Sequence, residues 1–363
     1  VATGKFSVYD EWMSAGHHGE GHDAAAEPAE NAEHSSTISF GASTAKAEDA
    51  HGEHEGASNA GHGGNEHGAS GDAPAHTPQE AALHHEVLQK KSSWLNKKAW
   101  LVRAFVYFVV WCLIALGYFR LSLRQDETKD PAITRKLQSL SSVSLIAFGL
   151  TLTFAAFDWV MALEPAWYST IFGVIVFAGS AVGILAATIL IGLQLQRSGA
   201  SGDAINTEHF HDLAKLMFGF ICFWTYVQFS QWMLIWYAGI PEEATWFHRR
   251  WQGGWSTVSY LLIFGHFVAP FLLLMSRVFK RSLWWLQAMC VWVLLMHIVD
   301  VYWFIMPQAT AVPHFAPKLV DFAAIVFCGG TVGAYILYKL NHVPVIPVGD
   351  PRLQRSIHHH QSY

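Results

Sequence analysis

A chain of 363 residues with 52% hydrophobic and only 14% charged positions is no ordinary soluble domain, in which about 25% of residues carry charge. The net charge of −5, with no basic stripe along any segment, excludes a nucleic-acid binder. The four cysteines, Cys112, Cys222, Cys290 and Cys328, lie singly inside apolar runs with no CxxCH motif. Covalent haem and metal–cysteine clusters are thereby excluded for this chain, and buried structural thiols are expected. An electron-carrying centre would have to sit on another subunit, or be a haem held non-covalently by histidine.

Residues 1–92 form an extramembrane, low-complexity region. The stretch 14–92, rich in His, Gly, Ala, Glu and Ser, holds eleven histidines but too little apolar surface to offset the entropy of ordering. Its irregular histidine spacing predicts a solvated linker, with loose metal binding as the alternative. Phe6–Met13 is aromatic enough to dock on a membrane or a neighbour. The first residue is Val1, with no apolar signal-peptide core after it, so processing or missing upstream residues are expected.

From Trp100 onward, apolar runs cover approximately 100–121, 142–163, 169–194, 213–238, 256–276, 283–306 and 319–340. Each is long enough to cross a hydrocarbon core of about 30 Å, and none shows the ten-residue alternation of a β-barrel. The expected fold is all-α, a polytopic transmembrane bundle of about seven helices over 93–343, followed by a cytoplasmic tail over 344–363. Twelve Lys and Arg residues, from Arg120 and Arg124 to Arg352 and Arg355, flank one side, and seven, including Lys90, Arg249 and Lys318, flank the other. The positive-inside rule puts the first side in the cytoplasm and the histidine-rich segment in the periplasm, across a bacterial inner membrane. The Gly179/Gly183 and Gly329/Gly333 spacings are expected to permit close helix packing.

Ionisable groups at membrane depth are the candidate site. His297 and Asp300, three apart on one helix face, suit a proton relay, a pair of contacts to a quinone carbonyl, or a structural hydrogen bond. Asp158 lies near the outer end of its helix, where it would meet a quinone headgroup, a proton exit or headgroup water. Glu164, before Pro165, is either catalytic or helix-terminating. His266 precedes Pro270 by four residues, where a kink and a free backbone carbonyl are expected. A haem b would need a second deep histidine facing it, and His297 is the candidate. Asp212 and Lys215 share a face as an ion pair at the cytoplasmic mouth. Gln228 and Gln231 form a polar stripe that either wires a proton path or fastens helices. Arg103 is expected to snorkel, and Pro241–Trp255 to dock another protein.

FDWVMALEPAWYSTIFG, FWTYVQFSQWMLIWYAGIPEE with the following RRWQGGW, HFVAPFLLLMSR and HIVDVYWFIMP resemble one subunit type of bacterial alternative complex III. That type is the second NrfD-like membrane subunit (ActF), also described as quinone-binding subunit 2 of quinol:cytochrome c oxidoreductase. The resemblance runs from about residue 92 to 345. It implies a ten-helix bundle, of which about three helices would precede Val1. It implies an assembly that oxidises menaquinol and passes electrons through iron–sulfur and haem c subunits, with NrfD-like subunits handling quinol and protons. The partner NrfD-like subunit, beneath the iron–sulfur protein, is the expected quinol site. For this chain the implied role is proton conduction and structural support, without a redox metal of its own. Menaquinone and lipids are its expected non-covalent ligands. A secondary transporter or channel, a haem b cytochrome and a purely structural scaffold are the rival classes.

Overall fold

The computed structural model describes residues 86–309, 315 and 317–358. The histidine-rich stretch as far as residue 85, with Phe6–Met13, lies outside the described residues. The described chain forms helices α1 (Lys97–Thr128), α2 (Pro131–Trp159), α3 (Phe172–Arg197), α4 (Thr207–Ala238), α5 (Pro241–Trp251), α6 (Trp255–Met275), α7 (Arg277–Arg281), α8 (Leu283–Ala309), α9 (Leu319–His342) and α10 (Leu353–Ile357). Seven of these, α1–α4, α6, α8 and α9, are long and apolar enough to cross a membrane. The protein is thus an all-α polytopic membrane bundle.

Local chemistry sets the helix ends. Asn96 caps α1 by accepting the Ala99 amide at 2.8 Å, and Asp130 caps α2 through Ala132 at 2.9 Å with Pro131 in the first turn. Between them Lys129 takes a left-handed conformation, φ 54°, so α1 and α2 join in a very tight turn. Both helices outrun the apolar runs by reaching to Thr128 and starting at Pro131, because their polar ends satisfy their own backbone in water. Residues 86–91 are helical too, ahead of the boundary near residue 92 that composition marks. Asn206 caps α4 by accepting the amides of Glu208 and His209, and the His209 ring returns to the Asn206 amide.

The spans alternate in direction. One end of the bundle carries the C-terminal tail; the other, called distal here, carries Asp158, Glu164 and α5. α3 is the central helix, packed against α2, α4 and α8. Its buried stripe, including Ile175, Gly179, Val182, Gly183, Ala186 and Ile189, keeps helical spacing. The core has two layers. The distal one is aromatic, with Trp167, Phe172, Trp246, Trp255, Trp303 and Phe304; the tail-side one is aliphatic, with Val182, Ile189, Met217, Ile221, Leu286 and Val293.

Two packing expectations need correction. Gly329 and Gly333 meet nothing within 4 Å, because α9 has no buried residue and stands at the margin of the bundle. It is tied there by Tyr302 Oη, which donates to Asp321 at 2.9 Å, and by Lys339 over the Phe119 ring. Of the thiols, Cys290 is buried and Cys222 half-buried, but Cys112 and Cys328 are exposed on α1 and α9. Helices that contribute little to the core turn most of their positions outward.

The tail is seated on the bundle. The Gly349 amide donates to Asp126 at 2.9 Å, and Ser356 pairs with the His209 ring at 2.9 Å. A Cβ on Gly349 would stand 2.1 Å from the Gln125 carbonyl oxygen, so only glycine allows this approach. Gly349→Ala is expected to unseat the tail while leaving the spans intact. Limited proteolysis in detergent should then cut the tail faster, and an unchanged rate would contradict the seating.

Candidate functional site

Asp158 is completely buried and saturated with donors. Arg103 grips it in a fork, Nε to Oδ2 at 2.7 Å and Nη2 to Oδ1 at 2.9 Å. Trp94 Nε1 donates to Oδ1 at 2.9 Å and Tyr107 Oη to Oδ2 at 2.8 Å. The Trp94 ring also lies 4.1 Å from the guanidinium carbon. Arg103 therefore does not snorkel: it meets Asp158, the one anion inside α2. Such a bidentate pair fixes the two helices to each other and to the segment before α1. The four acceptor positions of the Asp158 carboxylate are thus taken by donors of this chain.

Glu164 belongs to a second distal network. Its carboxylate accepts Gln308 Nε2 at 3.0 Å and lies 3.7 Å from Arg249. Gln308 in turn accepts Arg250 Nη2 at 2.9 Å. Arg250 is fully buried, with its guanidinium carbon 3.4 Å from the centroid of Trp246. It donates to the carbonyls of Trp303, Trp246 and Phe304 at 3.2, 2.8 and 2.9 Å. The Trp303 carbonyl is the one that Pro307, four residues on and lacking an N–H, leaves without a helix partner. Arg250 fills that gap. Burial pushes its guanidinium well below the usual pKa, and Glu164 acts in the opposite sense. The Pro241–Trp255 segment is consequently no simple docking loop. It folds Trp246, Phe247, Arg250 and Trp255 inward, because the proline-opened end of α8 needs donors and the aromatic core needs cover.

His266, His297 and Asp300 come together between the two core layers. The His266 ring, fully buried, stacks on Trp224 with centroids 4.2 Å apart and planes at 29°. A Cβ placed on Gly179 would lie 3.4 Å from Asp300 Oδ2, 3.4 Å from His297 Cε1 and 3.5 Å from Trp224 Cδ1. One on Gly183 would lie 2.8 Å from His297 Cδ2. The Gly179/Gly183 spacing thus makes room for ionisable side chains of α8 against the backbone of α3. A haem held between the two histidines would have to break the Trp224 and Gly183 contacts.

What distinguishes this cluster is unmet polar capacity. Both ring nitrogens of His266, Nδ1 of His297 and Oδ1 of Asp300 are buried with no hydrogen-bond partner in the protein, while the Trp224 indole N–H is the donor facing the Asp300 carboxylate. Most buried polar groups are paired, since an unpaired one costs about 1–3 kcal/mol. Four such ionisable-group atoms in one place make this the candidate site.

The remaining candidates are elsewhere. Asp212 and Lys215 form the expected pair at 3.1 Å, and both are half-buried at the tail end of α4. Gln231 is buried and accepts Ser169 Oγ at 3.0 Å, tying α4 to the connection before α3. Gln228, half-buried, stands one turn from Trp224 on the same helix. Trp224, Arg250 and Gln308 escaped the reading of the sequence. Spacing could have found Trp224, which lies four and seven residues before the two glutamines. Pro307 inside an apolar run was the signal for a donor such as Arg250.

No protein-family model matches this chain, and no curated protein matches it.

Proposed function

We propose that this chain is a proton-conducting membrane subunit of a respiratory quinol:electron-acceptor oxidoreductase, seated in a bacterial inner membrane with its tail in the cytoplasm. The observation that carries the reading is the buried cluster of Trp224, His266, His297 and Asp300, in which the imidazole nitrogens of His266 and one of His297 have no partner in the protein. An imidazole accepts a proton at one nitrogen and donates from the other, and a carboxylate one helical turn away holds it between transfers. The aromatic and aliphatic layers on either side keep the cluster occluded, so conduction requires the bundle to open it to one side at a time. Quinol oxidation is assigned to a partner NrfD-like subunit with iron–sulfur and haem c proteins. The motif resemblance supports that assignment, as does the absence of cysteine ligand motifs in this sequence. No quinone contact is assigned to Asp158, His297 or Asp300.

The test is purification of the chain with its native neighbours and reconstitution of that assembly into liposomes. A reduced c-type haem band should accompany it, and added quinol should drive proton release. Asp300→Asn and His266→Gln are expected to remove most of the protons moved per quinol while electron transfer continues; Asp212→Asn should change neither. Unaltered proton yield in both cluster variants would overturn proton conduction, and no associated haem would overturn the respiratory assignment.

A further inference from the structure

His266 sits in an unusual stretch of backbone. Leu262–Val268 is a π-helix, and the Ala269 amide reaches back five residues to the Phe264 carbonyl. The next bond of that register would join the Gly265 carbonyl to the amide of residue 270. That residue is Pro270, which has none. The Gly265 carbonyl instead accepts the indole Nε1–H of Trp292, from α8, at 2.8 Å. The freed carbonyl is thus Gly265, one residue before the histidine at which a simple kink was expected to release it. Gly265 itself allows the approach: a Cβ there would stand 2.8 Å from Met296 Sδ and 3.3 Å from Trp292 Cζ2.

The π register matters for His266. In an ordinary α-helix the Ala269 amide would bond Gly265, and Trp292 would not be needed. Removing one residue from a turn rotates one flank of the helix against the other by about 100°. His266 lies inside the affected stretch, and its ring meets Trp224 in the register observed. Single-turn π segments cluster at functional sites because they aim a side chain where an α-helix would not.

We infer that Trp292 is the positioning residue of the proton cluster: its indole hydrogen bond to Gly265 holds the π-turn that aims His266 at Trp224. The functional consequence rests on the proton-conduction reading, but the positioning does not. The test uses the full chain in lipid bilayers with isotope-labelled histidine. The His266 ring signal is identified by its absence in His266→Gln and its ring-current shift by the loss of that shift in Trp224→Leu. Trp292→Phe keeps the ring and removes only the N–H; it should abolish the His266 ring-current shift while leaving the other histidine signals in place. Adding Pro270→Ala supplies a backbone N–H to Gly265 and should restore the shift. A retained shift in Trp292→Phe, or no recovery in the double variant, would overturn the inference. In the reconstituted assembly, Trp292→Phe should lower proton yield as His266→Gln does. If the shift is lost and the yield persists, positioning stands and the proton-conduction reading fails.

Discussion

Replacing Arg103 with leucine is expected to lower stability by about 3–5 kcal/mol, the usual cost of removing one partner from a buried ion pair. Asp158 is completely buried and takes two of its four side-chain hydrogen bonds from the Arg103 guanidinium. Without Arg103, Trp94 and Tyr107 remain as donors, but the charge is uncompensated. The loss should therefore be mostly electrostatic, and it should be recovered when the carboxylate is made neutral. Arg103→Leu combined with Asp158→Asn is expected to be markedly more stable than Arg103→Leu alone, because asparagine is neutral, keeps a carbonyl oxygen to accept from the indole, and can donate its amide N–H to the phenol oxygen. Thermal unfolding in a mild detergent gives the comparison. Equal midpoints for the single and double variants would show that Arg103 contributes packing and not charge.

Arg250→Met is expected to be of similar size, about 3–5 kcal/mol, for a different reason. Methionine approximates the length of the side chain and keeps contact with Trp246, yet leaves the carbonyls of Trp303, Trp246 and Phe304 and the Gln308 oxygen without their arginine donors. The Trp303 carbonyl is the worst placed, since Pro307 offers it no amide. Pro307→Ala creates that amide, so the double variant Arg250→Met with Pro307→Ala should recover part of the loss. Arg250→Lys should recover little, because an ammonium cannot spread its donors across one face of α8 and stack on an indole together. Thermal unfolding midpoints again decide it. If Pro307→Ala does not soften the Arg250→Met defect, the proline-opened carbonyl is not what Arg250 serves.

Both expectations concern residues that the sequence displays but does not connect. Arg103 is visible as a cation inside the first apolar run and Asp158 as the single anion inside the second. Reading them separately gives a snorkelling arginine and a carboxylate meeting a quinone headgroup, a proton exit or headgroup water. Two antiparallel neighbours place them at one depth, and there mutual neutralisation is cheaper than either solution alone. His266, His297 and Asp300 were legible as membrane-depth ionisable groups because charge in an apolar run is costly wherever the run goes. Their convergence with Trp224 was not legible, since it depends on which faces of α3, α4, α6 and α8 pack together.

The sequence by itself determined the all-α polytopic class and the seven spans, within a turn or two for five of them. Those follow from apolar length and from the requirement that backbone in lipid bond to itself, which are local properties. It also marked Pro270 as a place where a carbonyl is released. Only the tertiary structure decided that Trp292 answers the Gly265 carbonyl and that Arg250 answers the Trp303 carbonyl opened by Pro307. It likewise decided that Gly179 and Gly183 face ionisable side chains whereas Gly329 and Gly333 face outward. Both glycine pairs have the same spacing and permit the same approach, and only the arrangement of the neighbouring helices determines which pair has something to approach.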